Sequence, residues 1–238
     1  MYKFLKGIMN YFNSKRIENY SLHRILNTDI FQEKLEGQET IYFGCGCFWG
    51  AEKCFWKLPG VITTSVGYAG GNMKNPTYSD VCGGYTGHAE VVKVVWNTNL
   101  IGLSDLLKMF WECHDPTQGN RQGNDLGSQY RSTIYYSNSD NSNLIISSRE
   151  AYQKVLDETN YGVITTEIKE IDKYYIAESY HQQYLAVDGS RQYCSASPTN
   201  LPLKDFEGCD YKLNKNVWDN FNWGIDKCVL RSDNLPIT

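Results

Sequence analysis

Several features that define large protein classes are missing from this 238-residue sequence. It has no run of about 18 or more apolar residues, so we expect no membrane-spanning helix. It has no N-terminal signal with an apolar stretch and a small-residue cleavage site. Basic residues do not predominate, because 23 Lys and Arg stand against 27 Asp and Glu. A nucleic-acid function therefore has no electrostatic support, and a packed soluble protein is expected.

Paired cysteines are missing too, although cysteine itself is not. The eight cysteines are Cys45, Cys47, Cys54, Cys82, Cys113, Cys194, Cys209 and Cys228. A chain of this size needs no disulfide staple and shows no secretory signal, so reduced thiols in a cytosol-like compartment are favoured. Structural zinc sites use pairs such as C-x-x-C, whereas only Cys45 and Cys47 are close together here. We therefore expect no metal.

Strand and helix patterns alternate between residues 39 and 171. The predicted strands are 39–44, 61–66, 89–96, 132–136 and 165–171, and the predicted helices are 47–57, 103–114, 141–158 and 176–185. This alternation predicts one domain with a mixed sheet and helices packed on it. Residues 68–87 and 115–128 are predicted to be irregular, and loops of that length are typically functional or disordered.

Both ends of the chain are expected to lie outside the catalytic domain, which we place at 39–194. The N-terminal extension, 1–38, begins with a basic stretch: Lys3, Lys6, Lys15, Arg16 and Arg24 against Glu18. Such a stretch is typical of an organelle-targeting segment or of a surface helix or tail. We expect a cytoplasmic protein, with organelle targeting as the alternative. The C-terminal extension, 195–238, is expected to pack on the body through aromatic residues and Ile225, or to be partly mobile.

Cys47 lies where a predicted strand meets a predicted helix, in the segment GCGCFWGAE. The N-terminus of a helix carries partial positive charge, which lowers the pKa of a thiol and favours the nucleophilic thiolate. Cys45, at the end of the predicted strand, is predicted to point into the core, and Cys54 is predicted to be a core residue as well. Position alone leaves open whether Cys47 is a nucleophile or a small buried hydrophobe.

Glu90 and two tyrosines are further candidates for chemistry. Glu90 opens a strand whose later residues are apolar, and burial there would raise its pKa and keep it protonated near neutral pH, as a general acid requires. The alternative is a surface carboxylate on an edge strand. Tyr78 and Tyr130 lie in polar loops, where a hydroxyl near a pocket donates hydrogen bonds to an oxygen substituent. Taken alone, each is more often a surface or core tyrosine.

Six motifs, in order, resemble those of the A-type peptide methionine sulfoxide reductases. They are GCFWGAE at 46–52, VGYAGG at 66–71, NPTYSDVC at 75–82, TGHAEVV at 86–92, HDPTQGNRQGNDLGSQYRS at 114–132 and YHQQYL at 180–185. The resemblance covers about residues 39–194. It implies an α+β fold, a two-layer sandwich with a mixed sheet and a ferredoxin-like core.

The resemblance also implies roles for individual residues. Cys47 matches the nucleophile that attacks the sulfoxide sulfur and becomes a sulfenic acid. Glu90 matches the acid that protonates the sulfoxide oxygen, and Tyr78 and Tyr130 match the hydroxyls that hold that oxygen. The implied substrate-binding residues are Phe48 and Trp49, which surround the S-methyl group. Asp125 and His181 match polar residues that form the rim of the site and support it.

Recycling of the nucleophile is implied in the same way. Cys194 matches the resolving cysteine, whose disulfide with Cys47 is reduced by thioredoxin, or by dithiothreitol in vitro. The implied substrates are the S epimer of free methionine sulfoxide and of oxidised proteins, which makes the function protein repair after oxidative damage. No bound cofactor, metal, nucleic acid or membrane is implied, and we expect a monomer. Beyond Cys194 the usual glycines are replaced by SASPTN, and Cys209 or Cys228 could act as a relay thiol.

Three other functions fit some of the same residues. The first is a cysteine hydrolase in which Cys47 is paired with a histidine; the candidates are His88, His114 and His181. The second is a thiol peroxidase in which peroxide oxidises Cys47 and Cys194 resolves it. The third is a binding module that grips methionine through Phe48 and Trp49 without turnover.

Overall fold

The computed structural model describes residues 21–225 and 228–238. The basic residues on which the targeting prediction mainly rests lie outside the described part: Lys3, Lys6, Lys15 and Arg16. The side chain of Cys228 lies outside it as well. None of the helices in the described part is long and apolar enough to cross a membrane.

One six-stranded sheet dominates the described structure. The strands are β1 (Gln38–Cys45), β2 (Val61–Ala69), β3 (Ala89–Asn97), β4 (Arg121–Gln122), β5 (Asp125–Leu126), β6 (Ser132–Tyr136), β7 (Glu167–Glu170) and β8 (Tyr174–Ile176). The order in the sheet is β7-β6-β1-β3-β2-β8, while β4 and β5 form a separate small hairpin. Neighbours are antiparallel except β6 and β7, which are parallel. The predicted α+β class with a mixed sheet is thus confirmed.

The helices connect these strands and follow them at the C-terminus. They are α1 (Phe48–Trp56), α2 (Tyr78–Cys82), α3 (Leu103–Glu112), α4 (Ser142–Asp157), α5 (Lys215–Trp218) and α6 (Cys228–Arg231). Phe43 of β1 stacks on Phe55 of α1 at 4.8 Å and on Phe110 of α3 at 5.2 Å between ring centroids. The main core therefore lies between one face of the sheet and the helices α1 and α3. Cys45 and Cys54, each 3% exposed, belong to it as predicted.

Strand β3 is central, as its sequence predicts. It pairs with β1 on one side and β2 on the other. Its four valines, Val91, Val92, Val94 and Val95, are fully buried. Branched side chains pack well on a pleated surface that is covered from both faces, which explains why this run forms an inner strand.

The prediction of an irregular segment at 68–87 was wrong in part. Strand β2 continues to Ala69, and α2 forms within the segment. The helix begins with a capping box, in which the side chain of Thr77 accepts from the Asp80 amide at 3.3 Å and the Asp80 carboxylate accepts from the Thr77 amide at 2.9 Å. Five residues are too few to show helical periodicity in the sequence, and the capping pair was the available signal.

The helix predicted at 176–185 was also wrong. The segment holds the end of β8 and two single 3-10 turns, Ser179–His181 and Tyr184–Ala186. Gln183 has a φ of 46°, the left-handed region that ends a right-handed helix. The side-chain Nε2 of Gln182 donates to the Val66 carbonyl at 2.8 Å, and its Oε1 accepts from the Val66 amide at 2.9 Å. This side chain therefore bonds to the backbone of β2 as a neighbouring strand would.

Both extensions contact the central domain in the described residues. His23 is 1% exposed, and its Nε2 lies 2.9 Å from Thr64 Oγ1. In the C-terminal extension, the aromatic residues Trp218, Phe221 and Trp223 pack against the main core, whereas Ile225 is 41% exposed and is not an anchor.

The last residues of the chain hold the far end of α1. Lys53 Nζ donates to the Ser232 carbonyl at 2.8 Å, and Trp56 Nε1 donates to the Asn234 carbonyl at 3.0 Å. Lys57 donates to the Leu235 carbonyl at 2.9 Å. Since Lys53 and Lys57 are only 2% and 4% exposed, the tail supplies hydrogen-bond acceptors for side chains that water hardly reaches.

Candidate functional site

A cavity of about 430 Å³ opens where β1 meets α1. It is lined by Cys47, Phe48, Trp49, Tyr78, Glu90, Asp125, Tyr130, Tyr184, Arg191 and Tyr193. All predicted catalytic and substrate-binding residues line it except His181 and Cys194. Larger cavities of about 690 and 490 Å³ lie between α3 and the C-terminal extension and beside Tyr42 and Lys93 of the sheet, but no cysteine lines either of them.

Cys47 is the N-cap of α1 and is 9% exposed. Burial raises the pKa of its thiol well above the usual value, the charge of Glu90 raises it further, and a hydrogen bond from the Trp49 amide opposes both. The predicted lowering of the Cys47 pKa was therefore wrong for this structure. A helix terminus contributes about 0.3–1 kcal/mol in an exposed setting, which is too little to offset removal of the thiolate from water.

Glu90 lies on the central strand β3 and is 2% exposed. Burial raises its pKa to about 8, with a further contribution from Asp125, while a hydrogen bond from the Phe48 amide opposes the rise. The carboxyl therefore holds its proton at neutral pH. The prediction of a buried, protonated carboxyl is confirmed, and the alternative of a surface carboxylate on an edge strand was wrong.

Tyr78 and Tyr130 bring two hydroxyl groups to the same cavity. Tyr78 is the first residue of α2, and its amide donates to Glu178 Oε1 at 2.8 Å. Tyr130 ends the 3-10 turn Ser128–Tyr130, directly before β6. Burial raises the pKa of both phenols, and Glu90 raises them further. Both hydroxyls therefore keep their protons and are able to donate hydrogen bonds.

The aromatic wall of the cavity is held by residues that sequence reasoning assigned differently or missed. Trp49 stacks on Tyr184 with 3.8 Å between ring centroids, and its Nε1 donates to His181 Nδ1 at 3.1 Å. His181 is 1% exposed and lies behind the indole, so it supports Trp49 and does not line the cavity. Tyr193 donates to Asp125 Oδ1 at 2.5 Å.

Glu52 is a positioning residue that the sequence analysis missed. Its carboxyl is fully buried and accepts from the Gln183 amide at 2.8 Å, the Gln183 side chain at 2.7 Å and the Thr64 hydroxyl at 3.0 Å. It therefore fixes α1 to the segment that carries His181 and Tyr184. The signal that could have found it was the adjacent charged pair of Glu52 and Lys53 within the apolar run FWGAEKCFW.

Cys194 lies beside the first turn of α1. It is 5% exposed, and its Sγ is 2.5 Å from the position that a Cβ on Gly50 would occupy. Gly50 follows Cys47 by three residues and so lies on the same face of the helix. The structure thus brings Cys194 next to the helical turn that carries Cys47.

The structure does not bring Cys209 next to Cys47 or Cys194. Its neighbour Asp210 accepts from the Ser104 hydroxyl at 2.7 Å, which puts Cys209 near the start of α3. Cys113, which lines the same small cavity as Cys194, follows the other end of that ten-residue helix. Ten helical residues span about 15 Å, so a relay through Cys209 requires the chain to rearrange.

Each histidine proposed for a hydrolase has a partner other than Cys47. His88 Nδ1 accepts from a backbone amide at 3.0 Å. His114 lies 2.8 Å from a backbone carbonyl and 2.8 Å from a serine hydroxyl. His181 accepts from Trp49. Among the groups that share the cavity with Cys47, Glu90 is a neutral carboxyl, and Tyr78 and Tyr130 are phenols that keep their protons, so these three are able to donate hydrogen bonds. Fold and site together define an α+β protein in which a buried thiol and a neutral carboxyl line the same cavity.

Comparison with known proteins agrees with this class and narrows it. The model of the family Peptide methionine sulfoxide reductase matches residues 39–207. The chain is 52% identical over 180 residues to Peptide methionine sulfoxide reductase MsrA of Salinispora arenicola (strain CNS-205), over 75% of this chain and 82% of that protein. It is 55% identical over 166 residues to Mitochondrial peptide methionine sulfoxide reductase of Bos taurus, over 70% of this chain and 71% of that protein.

Solved structures give the same result. Methionine sulfoxide reductase A of Corynebacterium diphtheriae matches with a TM-score of 0.64 and 45% identity, over 70% of this chain and 81% of that chain. Mxr1 from Saccharomyces cerevisiae in reduced form matches with a TM-score of 0.64 and 33% identity, over 69% of this chain and 92% of that chain. The chain belongs to the peptide methionine sulfoxide reductase family, which confirms the resemblance of its motifs.

Proposed function

We propose that this protein reduces methionine-S-sulfoxide, free or within proteins, through a sulfenic acid on Cys47 that Cys194 resolves and thioredoxin recycles. Its family makes the chain an oxidoreductase that acts on methionine sulfoxide; the proposal concerns the epimer, the steps and the residues. The observation that carries it is the shared cavity of Cys47 and Glu90, because the Glu90 pKa of about 8 leaves a proton available beside the thiol.

Substrate binding is proposed to use the two kinds of wall in the cavity. Phe48 and Trp49 offer apolar surface to the S-methyl group, which gains by leaving water. Glu90, Tyr78 and Tyr130 offer hydrogen-bond donors to the sulfoxide oxygen. All three are uncharged at neutral pH, so the polar but uncharged sulfoxide meets neutral donors.

The chemical step needs a proton at oxygen and an electron pair at sulfur. Cys47 sulfur attacks the sulfoxide sulfur while Glu90 protonates the oxygen, which is a poor leaving group until it is protonated. The hydroxyl then passes from the substrate sulfur to the Cys47 sulfur and the bond between the two sulfurs breaks, which leaves methionine and the Cys47 sulfenic acid. The thiol loses the two electrons that the sulfoxide gains, and the thiol proton replaces the one that Glu90 donates. General acid catalysis of this kind contributes roughly 10²–10⁴-fold.

Resolution is proposed to follow from the position of Cys194. Its sulfur attacks the Cys47 sulfenic acid, a Cys47–Cys194 disulfide forms and water leaves. The contact of Cys194 Sγ with Gly50, one helical turn from Cys47, supports this step. A thiol of thioredoxin then attacks the disulfide and restores both cysteines.

We also propose that the four inner strands form a ferredoxin-like core. Apart from the five-residue α2 between β2 and β3 and the small hairpin of β4 and β5, their chain order with the intervening helices is β1-α1-β2-β3-α3-β6. Their order in the sheet is β6-β1-β3-β2 with every neighbour antiparallel. This arrangement is a split βαβ motif repeated twice, as in ferredoxin-like folds.

The test is to incubate the purified protein with separate S and R epimers of a methionine sulfoxide peptide and follow methionine by chromatography. With dithiothreitol, we expect turnover of the S epimer alone, abolished by Cys47→Ser and retained by Cys209→Ser as the matched control. With thioredoxin, we expect Cys194→Ser to lose turnover that dithiothreitol still supports. Turnover of the R epimer, or full activity of Cys47→Ser, would show the proposal to be wrong.

A further inference from the structure

Behind the catalytic cavity, a second group of thiols surrounds a small cavity of its own. It is lined by Cys45, Cys54, Cys113 and Cys194, together with Gly50, Ala51, Ala196, Pro198, Trp223 and Val229. The four cysteines are between 2% and 5% exposed, and none of the cysteines among residues 21–225 forms a disulfide. Only Cys194 has a role in the proposed function, so three buried thiols are left without one.

Cys194 lies between the catalytic thiol and these three. On α1, positions 47, 50 and 54 fall on one face, because helical residues three, four and seven apart lie above one another. Cys194 Sγ packs on Gly50, near the middle of the stretch of about 10 Å from Cys47 to Cys54. Only a residue without a Cβ leaves room for the sulfur there, so the cysteine that resolves Cys47 also reaches the buried thiols.

Cys113 is hydrogen-bonded to both Cys54 and Cys45, and its pair with Cys45 is the one that also lies against His114. The sulfurs of Cys45 and Cys113 lie within 4.8 Å of each other and of a nitrogen of His114. Both nitrogens of His114 are already bonded, to the Phe110 carbonyl and the Ser132 hydroxyl. Neither nitrogen of His114 is therefore available to bind a metal ion. We interpret the two cysteines as a dithiol and not as metal ligands.

We propose that Cys45 and Cys113 are a second redox dithiol, which takes the disulfide from Cys47 and Cys194 and leaves the catalytic pair ready for another substrate. This inference rests on the proposed function, because the oxidant is the Cys47–Cys194 disulfide. Cys113 attacks Cys194, and Cys47 leaves as a thiol. Cys45 then attacks Cys113, and Cys194 leaves as a thiol. One disulfide is broken and one is formed, and the two protons of the dithiol pass to the catalytic pair.

The environment of the dithiol sets the order of events. Exchange needs a thiolate, and burial raises the pKa of both Cys45 and Cys113. The internal transfer is therefore slower than exchange by an exposed thiol, and the second methionine also has to wait for resolution and for this transfer. Its advantage is position, because a thiol held beside the disulfide competes with thiols in solution at a high effective concentration.

The test counts methionine released without any reductant. The reduced protein is mixed with an excess of a peptide containing methionine-S-sulfoxide, and methionine per protein is followed over time. We expect two equivalents from the unchanged protein, the second slower than the first, and one equivalent from Cys113→Ala. Cys209→Ala, the matched control, should still release two. Peptide mapping of the oxidised protein should recover a Cys45–Cys113 disulfide.

Several outcomes would overturn the inference. One equivalent from the unchanged protein would do so, as would two from Cys113→Ala, or one from Cys209→Ala, which would assign the relay to Cys209. If Cys113→Ala does not fold, mapping of the unchanged protein decides, and absence of the Cys45–Cys113 disulfide after two equivalents rejects the pair. Failure of the proposed function looks different, because no methionine would then form even with dithiothreitol.

Discussion

The backbone amide of Phe48 donates a hydrogen bond of 3.0 Å to Oε2 of Glu90. This bond joins the first turn of α1 to the central strand β3, two elements that lie 42 residues apart in the chain. The thiol at the start of α1 and the carboxyl on the strand are therefore held in fixed relation before any substrate binds. Such preorganisation lowers the cost of reaching a reactive arrangement.

The first prediction concerns pH. Glu90 must hold its proton to act, and its pKa is about 8. Cys47 must in turn lose its proton, and its pKa is raised well above the usual value. With dithiothreitol in excess, we expect the rate of the first methionine release to rise with pH up to about 8 as thiolate forms, and to stop rising above about 8 as Glu90 loses its proton. Rapid-quench measurements between pH 6 and 9.5 test this. A rate that keeps rising tenfold per pH unit from pH 8 to pH 9.5 would exclude Glu90 as the proton donor.

The second prediction concerns Glu90→Gln. Glutamine keeps the shape of the side chain and still accepts from the Phe48 amide, but it has no acidic proton. We expect the first methionine release at pH 7 to slow by roughly 10²–10⁴-fold and its rate to keep rising with pH beyond 8. Thermal unfolding provides the control, since the melting temperature should not drop. A slowing that leaves the pH profile unchanged would instead indicate a structural role.

The third prediction concerns stability and Glu52. Burial raises the pKa of Glu52 to about 7, above the value near 4.5 of an unperturbed carboxyl. The folded state therefore favours the protonated form, so stability is fully present below pH 4.5 and is lost as pH rises through about 7. Glu52→Gln removes this titration. Urea unfolding at pH 5 and pH 8 should show that the free energy of unfolding falls less in the variant than in the unchanged protein. Equal falls in the two proteins would contradict the prediction.

The fourth prediction concerns Gly50→Ala. The new Cβ would lie 2.5 Å from Cys194 Sγ, so this sulfur must move away from the face of α1 that carries Cys47. We expect the first methionine release to persist while disulfide formation and thioredoxin-supported turnover slow by tenfold or more. Alanine favours a helix over glycine by about 1 kcal/mol, so the helix itself is not weakened.

The double variant Gly50→Ala, Cys194→Ala is the control for that change. With the sulfur removed, the added methyl group has space, and the melting temperature should recover relative to Gly50→Ala alone. If Gly50→Ala forms the disulfide as fast as the unchanged protein, Cys194 resolves Cys47 from a position other than the one beside Gly50.

The sequence predicts those elements that depend on near neighbours. The valine run of β3 identifies an inner strand, and GCGCFWGAE places Cys47 at the start of a helix. The link between Glu52 and Gln183 was not predictable, because 131 residues separate them and only the folded chain brings them together. The direction of the Cys47 pKa shift was missed for the same reason, since the sequence shows the helix terminus beside the thiol but not how completely the fold covers it.

The hydrogen bonds from the end of α1 to the last residues of the chain have a practical consequence. Residues 208–238 follow the span that matches the family, yet the carbonyls of Ser232, Asn234 and Leu235 receive the buried donors of α1. A version trimmed to the family boundary would leave two amines and an indole N–H without these acceptors. Expression vectors should therefore keep the chain through Thr238 and carry the affinity tag at the amino end.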